Sequence, residues 1–317
     1  MMLGLILMSH GSIDSLDELP AFLAKIRRGK PAPPDIVAEV RRRHEAIGGS
    51  PLNAINRELA KRVEARLGIP VRLANRLSHP SPSDALRELR ALGVDEVAMV
   101  PLAQHSAAVY ASALLSAAHE IGAGDMPIEC APNWGKNRTL VRLFARRIEA
   151  ALGASSRQGR ARTALLMSAH SLPVSVVAAG DRYESDVHAS ASAIVRELGD
   201  GAPLNTVVFQ SQGMASPGEP TVDWLGPDLV HGLAHAKASG FDRVLIAPIG
   251  FLADHVEILY DIDIEITEYA RARNITVTRT ESPNADEEMV DVIVDVAEPL
   301  LGALASRRRK LVEGELG

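Results

Sequence analysis

The chain of 317 residues contains one pattern twice, and each copy places a histidine at the end of a short apolar run. The first copy reads LILMSHG over residues 5–11, and the second reads ALLMSAHSLP over residues 164–173. Downstream of each copy, a second apolar run ends in proline and is followed by another histidine, His105 or His255. An internal repeat of this length predicts two similar lobes. The histidines would then line a cleft between the lobes, because open α/β sheets bind ligands at the carboxyl ends of their strands.

Short apolar runs alternate with amphipathic stretches along the chain, which is typical of parallel sheets with crossover helices. The predicted strands are residues 3–8, 70–74, 96–101, 127–131, 163–168, 205–210, 243–248 and 275–279. The predicted helices are residues 54–67, 82–92, 107–121, 138–152, 184–198, 226–238, 253–272 and 286–304. We therefore predict an α/β fold of two Rossmann-like lobes, each a parallel sheet flanked by helices. The polar stretch 153–162 predicts the boundary, with lobes at 1–155 and 156–317.

Composition excludes several classes of function. A net charge of −6 and an aromatic content of 3% argue against nucleic-acid binding and base stacking. The single cysteine, Cys130, cannot form an internal disulfide or a four-cysteine iron–sulfur site. No apolar run approaches the ~20 residues that a membrane-spanning helix needs. The apolar start leads directly into Ser9-His10-Gly11 without a basic segment before it, so we interpret it as a strand and expect a cytoplasmic protein.

The most specific segment reads ADHVEILYDIDIE over residues 253–265. On a helix, Glu257, Asp261 and Glu265 fall at i, i+4 and i+8, so the three carboxylates share one face and span about 12 Å. Like charges at this spacing destabilise a helix by a few tenths of a kcal/mol per pair, and a bound cation explains such a row. Oxygen ligands suit hard, hydrated divalent ions. A solvated acidic face is the alternative.

His170 is the second candidate, since it ends an apolar run and precedes the sharp exit Ser171-Leu172-Pro173. A histidine at such a position can also be a hydrogen-bonded core residue. Together with Glu257 from the same lobe, however, it could bind a borderline divalent metal, and either group could accept a proton at neutral pH.

Two basic clusters form the third candidate, Arg27-Arg28-Gly29-Lys30 and Arg41-Arg42-Arg43. Arginine presents a planar fork that suits carboxylates, so a flexible segment with several arginines could hold a polycarboxylate ligand. Solvated surface charge is the alternative.

These residues resemble the ferrochelatases. The motifs that carry the resemblance are residues 168–173 with 180–183, residues 209–213 with 224–228, residues 248–265, and in the first half residues 26–29 and 46–52. Ser-Leu-Pro after His170 and Tyr260-Asp261 in the acidic helix are most similar to the Gram-positive form, which inserts iron into coproporphyrin III. The resemblance implies two chelatase-type lobes with the active site in the cleft between them.

The resemblance also implies roles for particular residues. His170 and Glu257 would face each other across the macrocycle, take up the pyrrole protons and guide the metal, with Asp261 and Glu265 as a hydrated-ion path. The residues expected to bind the porphyrin are His10, Asp14, Arg27, Arg28, Arg43, Ser50, His105, Gln210 and Trp224. Iron(II) would be a substrate, and no tightly bound cofactor or iron–sulfur cluster is expected. A second divalent ion at Asp261 and Glu265 is left open, and we expect a monomer.

The first loop departs from the Gram-positive pattern. That form carries a tyrosine there that can ligate the haem iron, whereas this chain reads HGSID over residues 10–14. Ser9-His10-Gly11 is also similar to the start of the smaller cobalt and nickel chelatases, which leaves a corrin-type substrate as one alternative. A non-catalytic haem carrier is the other. The segment 215–222 is longer than usual and has no explanation in the sequence.

Overall fold

The computed structural model describes residues 2–153, 162–213 and 222–314, with side chains up to residue 309. The predicted lobe boundary at residue 155 lies outside the described residues, as does the segment 215–221.

Two four-stranded parallel sheets organise the chain, and they have the same strand permutation. Sheet A has the order β2-β1-β3-β4, with β1 at Met2–Ser9, β2 at Val71–Asn75, β3 at Val94–Pro101 and β4 at Ile128–Cys130. Sheet B has the order β6-β5-β7-β8, with β5 at Thr163–His170, β6 at Asn205–Gln210, β7 at Arg243–Ala247 and β8 at Thr276–Arg279. All eight predicted strands are present, so the predicted α/β class with two similar parallel sheets is confirmed.

Helices connect the strands. In chain order they are α1 (Leu19–Ile26), α2 (Pro34–Ala46), α3 (Leu52–Leu67), α4 (Pro82–Ala91), α5 (Ala107–Glu120), α6 (Arg138–Gly153), α7 (Val174–Ala178), α8 (Tyr183–Leu198), α9 (Leu229–Ala238), α10 (Val256–Leu259), α11 (Thr267–Arg271) and α12 (Glu287–Gly314). A π-helix, Asp261–Ile266, lies between α10 and α11. Among the described residues, no helix is long and apolar enough to cross a membrane.

The backbone divides into two compact units that differ from the predicted continuous lobes in three segments, residues 14–51, 140–153 and 284–314. Unit 1 consists of residues 1–13, 52–139 and 284–317, and unit 2 consists of residues 14–51 and 140–283. The C-terminal helix α12 packs on β3 and α3 and so joins unit 1. The segment with the basic clusters belongs to unit 2. The cleft that the sequence predicts between the lobes stays a prediction.

Each unit has its own apolar core on its sheet. In unit 1, Ile6, Met8 and Met99 of the sheet pack with Leu86 of α4 and Leu114 of α5. In unit 2, the sheet packs with Ile258, Ile262 and Ile266, which are at most 6% exposed. These three isoleucines pack one face of the acidic segment against sheet B. The row of carboxylates therefore lies on another face of the same segment.

The acidic segment is where the helix prediction is wrong in detail. It begins at Val256 instead of 253, and its middle turn is widened, because the Glu265 amide donates to the Tyr260 carbonyl five residues earlier (3.0 Å). Regular α-helix bonds would connect residues four apart. Short π segments of this kind occur frequently at functional sites.

Helices α1 and α2 were not predicted, because prolines interrupt their apolar period. Pro34 is nonetheless compatible with α2, since it occupies the helix N-terminus, where its missing N–H costs no hydrogen bond.

Candidate functional site

The candidate site lies at the carboxyl edge of sheet B. There β5 ends at His170, which pairs in register with Gln210 at the end of β6. The loop after β7 lies directly against β5, and the Gly250 amide donates to the Ser168 carbonyl (2.9 Å). A Cβ at Gly250 would lie 2.6 Å from both Cα and Cβ of Ala169, closer than real Cβ contacts come. Only glycine therefore allows this loop to approach β5 so closely.

Two hydrogen bonds orient His170, one made by its ring and one by its backbone carbonyl. Its Nδ1 donates to the Ser171 carbonyl, and its own carbonyl accepts from the Tyr183 hydroxyl (2.8 Å). With the proton on Nδ1 held in this way, Nε2 is the ring atom that faces Glu257, at 3.4 Å from Oε1. The side chain is 38% exposed, so this atom is at the surface of unit 2.

A second histidine, His255, faces the other oxygen of the same carboxylate. Its Nδ1 donates to the Ala253 carbonyl (2.9 Å), and its Nε2 lies 3.6 Å from Glu257 Oε2. The Glu257 backbone carbonyl accepts from the Gln210 side-chain amide (2.8 Å), which holds the start of the acidic segment against β6. The Glu257 carboxylate is therefore placed between the Nε2 atoms of two similarly oriented imidazoles.

This geometry corrects the expectation that His170 and Glu257 face each other across a macrocycle. At 3.4 Å the two side chains form a direct pair in one unit, with no room for a ring between them. The reason is topological, since β5 and β7 are neighbours in sheet B and the elements after them meet at the same edge.

The pair changes the protonation of both partners. Burial by itself lowers the pKa of His170, but the charge of Glu257 and the hydrogen bond to it outweigh burial and raise the pKa to about 9. Burial by itself raises the pKa of Glu257, but His170 and His255 hold that pKa well below its ordinary value. His255 also has a raised pKa, because its contact with Glu257 outweighs burial. At neutral pH the resting pair is thus an imidazolium and a carboxylate, whereas the unperturbed pKa of about 6.5 predicts a largely neutral His170.

Asp261 lies one turn further along the segment, and both of its carboxylate oxygens already accept hydrogen bonds. Its Oδ1 accepts from Arg43 Nη1 (2.9 Å), and its Oδ2 accepts from the Ser211 hydroxyl (2.6 Å). Burial raises the pKa of Asp261 to about 6. Glu265 lies 4.0 Å from the same guanidinium and is 55% exposed. The predicted row of Glu257, Asp261 and Glu265 is therefore present, but an internal cation neutralises its outer half.

Arg43 itself is held by three carboxylates. Besides Asp261 and Glu265, its Nε lies 2.7 Å from Glu39 Oε1. Among the described residues, no group of three or more His, Cys, Asp or Glu side chains is arranged to hold a metal ion. The metal role of His170, Glu257, Asp261 and Glu265 stays a prediction.

In unit 1, His10 and His105 lie at the carboxyl edge of sheet A. His10 directly follows β1, and its Nδ1 lies 3.4 Å from Arg76 Nη2. His105 follows β3 and is 3% exposed, with its carbonyl accepting from the Asn133 side-chain amide (3.1 Å). Both histidines thus lie at the carboxyl edge of sheet A, but only His10 directly follows its strand, whereas His105 comes four residues after the end of β3.

The other residues predicted to contact porphyrin are dispersed over unit 2. Asp14 is exposed and its amide donates to Glu18, while Arg27 ends α1 and Arg28 has a left-handed backbone (φ 55°). Gln210 is 3% exposed, and its amide is used by Glu257. The hydroxyl of Ser50 is buried without a hydrogen-bond partner, and the Trp224 ring packs against Gly213. Their role in binding stays a prediction.

The repeat placed His255 among the cleft-lining histidines but predicted no chemical role for it, and no role was predicted for Ser211. The signal for His255 was in the repeat, since it occupies the place that His105 has in the first half. Ser211 directly follows β6 and has a left-handed backbone (φ 58°), a conformation that no motif predicted.

Comparisons with known proteins identify the family of the chain. The family model described as Ferrochelatase matches residues 2–300. The chain is 33% identical to the coproporphyrin III ferrochelatase of Mycobacteroides abscessus, over 92% of this chain and 88% of that protein. It is 30% identical to the protein of the same name from Anoxybacillus flavithermus, over 93% and 95%. The ferrochelatase of Thermus thermophilus is also 30% identical, over 93% and 98%.

Among solved structures, SirB from Bacillus subtilis with Fe³⁺ is similar with a TM-score of 0.56 and 13% identity, over 94% of this chain and 96% of that one. At that identity the likeness supports the fold alone. The family match and the relatives cover nearly the whole chain. The chain therefore belongs to the ferrochelatase family and is a lyase-type metal chelatase of haem biosynthesis.

Proposed function

We propose that this chain inserts Fe²⁺ into coproporphyrin III, and that His170 and Glu257 handle the pyrrole protons and the entering metal. The observation that carries the proposal is the Glu257 carboxylate between the Nε2 atoms of His170 and His255, at 3.4 and 3.6 Å. The names of the relatives from Mycobacteroides abscessus and Anoxybacillus flavithermus support coproporphyrin III as the substrate.

The chemistry requires that two N–H protons leave the macrocycle as a dication enters it. His170 holds a proton at rest, because Glu257 raises its pKa to about 9. A dication that approaches Nε2 disfavours the imidazolium, since like charges lower the pKa of a cationic acid. The proton then leaves to solvent, to which the His170 side chain is 38% exposed, and the lone pair of Nε2 becomes available to a pyrrole proton or to the metal.

Glu257 has the complementary task. Its carboxylate is kept ionised by both histidines, so it attracts the dication toward the site and can accept the second pyrrole proton. His255 is a positioning residue in this scheme, because it faces Glu257 through Nε2 while its Nδ1 is used by the Ala253 carbonyl. Asp261 and Glu265 extend the negative row, and an incoming cation would compete there with Arg43.

A site that holds the ring in a distorted shape would lower the barrier further, since planar pyrrole nitrogens do not point at an incoming ion. We also propose that the protein acts as a cytoplasmic monomer without a resident cofactor. Its single cysteine cannot supply the four thiolates of a typical iron–sulfur cluster. Sedimentation analysis at micromolar concentration tests the monomer.

The deciding experiment is an anaerobic insertion assay of the wild-type chain with coproporphyrin III, protoporphyrin IX and sirohydrochlorin, each with Fe²⁺ and Co²⁺. We expect the highest kcat/KM for Fe²⁺ and coproporphyrin III. Fastest insertion of Co²⁺ into sirohydrochlorin would instead support a corrin-type chelatase. Stoichiometric haem binding without any insertion would support a haem carrier.

A further inference from the structure

Arg76 is a cationic side chain in unit 1 that the proposed chemistry does not use. It is the first residue after β2, at the carboxyl edge of sheet A, and is partly buried. Its Nε is buried and has no hydrogen-bond partner among the described residues. No carboxylate lies within ion-pair distance of it in the part of the chain that the structure describes. A buried donor without a partner destabilises the folded chain, and more so when it is charged.

Two other arginines with a buried Nε are compensated. Arg147 contacts the carboxylate of Glu281, and Arg308 contacts that of Glu96. Arg43 at the edge of sheet B contacts three. Arg76 differs from these arginines, because its guanidinium is partly desolvated and no carboxylate of the described residues neutralises its charge.

The surrounding residues hold Arg76 in one orientation. Its backbone amide donates to the Ser9 carbonyl (2.9 Å), which joins it to the end of β1. Its guanidinium lies over the Tyr110 ring, with Cζ 5.8 Å from the centroid, and its Nη2 lies 3.4 Å from His10 Nδ1. A guanidinium can only donate, so His10 Nδ1 is the acceptor in this contact. The contact with the Tyr110 ring and the hydrogen bond from Nη2 hold the guanidinium of Arg76 in place. Binding a ligand would therefore cost this side chain little further conformational entropy.

The loop geometry reinforces this position. Gly11 has a left-handed backbone (φ 90°), and a Cβ there would lie 2.4 Å from Ser78 Oγ. The loop after β1 and the loop after β2 are therefore packed so closely that only glycine fits, which leaves the Arg76 backbone little freedom.

We propose that Arg76 binds a carboxylate of the porphyrin substrate. An arginine fork matches a carboxylate in two parallel hydrogen bonds, and such charge-assisted bonds are roughly twice as strong as neutral ones. Coproporphyrin carries carboxylates at its periphery, and the carboxyl edge of a parallel sheet is where open α/β sheets bind ligands. This inference rests on the proposed function and adds a specificity-determining residue to it.

The test measures the Kd of porphyrin binding by fluorescence or absorbance titration without metal, which separates binding from insertion. Wild type and Arg76→Gln are titrated with coproporphyrin III and with its tetramethyl ester in the same detergent buffer. We expect Arg76→Gln to raise the Kd for the free acid about 10- to 100-fold and to leave the Kd for the ester unchanged. Arg72→Gln is the matched control, since Arg72 lies on the same strand and pairs with Glu64 and Glu88; its Kd should stay within about twofold.

Equal changes for acid and ester would overturn the inference, because a merely structural role affects both ligands alike. An unchanged Kd for the free acid would also overturn it.

If wild type binds and metallates coproporphyrin while Arg76→Gln has no specific effect, the inference alone fails. If wild type binds no porphyrin, the proposed function fails together with it. Should Arg76→Gln unfold, Arg76→Lys decides, since it keeps the charge but loses the fork and should still weaken binding of the acid alone.

Discussion

The carboxyl edges of sheet A and sheet B have the same strand order and matched histidines, yet their charges are neutralised differently. At sheet B, the Glu257 carboxylate lies between His170 and His255, and Arg43 neutralises the carboxylates beyond it. At sheet A, Arg76 lies beside His10 and contacts no carboxylate among the described residues. Duplicated folds thus do not imply duplicated chemistry. On the proposed function, the second edge would move protons and metal, and the first edge would bind an anion.

The largest expected effect on iron insertion comes from replacing one of the two matched histidines, His170 and His10. His170→Ala should lower kcat for iron insertion by roughly 10²–10⁴-fold while porphyrin binding is retained, because it removes the group that accepts a proton. His10→Ala should act on KM and leave kcat within a few-fold. Steady-state kinetics on both variants, with porphyrin titrations beside them, measure the difference. An equal loss of kcat in the two variants would contradict the division of labour between the edges.

The next effect concerns the close approach at Gly250. Gly250→Ala should lower kcat by about 100-fold, because a Cβ there must push the loop away from Ala169 and so displace Glu257 from His170. Unit 1 has an alanine, Ala103, at the corresponding position two residues after the strand-ending proline. Ala103→Gly should therefore have little effect on kcat. Near wild-type activity in Gly250→Ala would mean that this approach does not position the pair.

The third prediction concerns pH. His170 must lose its proton before it can accept another, so kcat/KM should rise with pH toward the pKa of about 9, by ~50-fold between pH 7 and 9. A profile that is already flat above pH 7 would exclude His170 as the titrating group.

Glu257→Gln provides the control for this assignment. Removing the charge leaves burial as the dominant influence, so the pKa of His170 should fall to its ordinary value or lower. An NMR titration of the His170 ring in the ligand-free protein measures it directly. The stability that protonated His170 contributes should follow the same sign: it is complete below the ordinary histidine pKa and is lost as pH rises through the raised one. The contribution of Glu257, whose pKa is lowered, is lost only as pH falls through that lowered value.

The smallest effect is expected at the outer carboxylates. Asp261→Asn should raise the KM for Fe²⁺ about tenfold and leave the porphyrin Kd unchanged, because it removes one charge from the proposed ion path without touching the His170–Glu257 pair. Glu58→Gln removes a carboxylate from the surface of unit 1 and serves as the control. If Asp261→Asn changes porphyrin binding instead, Asp261 acts through Arg43 on the ligand and not on the metal.

Much of the fold followed from the pattern of the sequence. The eight strands were predictable because buried parallel strands are short, continuous apolar runs, and the repeat predicted two similar lobes. The sequence did not reveal that the segment 14–51 belongs with sheet B. Arg43 and Asp261, whose pairing joins the two, are 218 positions apart, and no local period records such a distance.

The candidate site, like the fold, was only partly predictable from the sequence. The positions of His170 and Glu257 at one sheet edge followed from strand ends and motif resemblance. The direct contact between them did not, nor did the second imidazole of His255 or the widened turn at Asp261.

The repeat of an apolar run ending in histidine thus determined the architecture and the place of the histidines, because periodicity and strand length depend on neighbouring residues only. Which of those histidines is charged, and which carboxylates remain to receive a cation, was decided by the tertiary structure. Protonation and neutralisation depend on burial and on side chains within about 4 Å, and those come from segments that the chain brings together only when it folds.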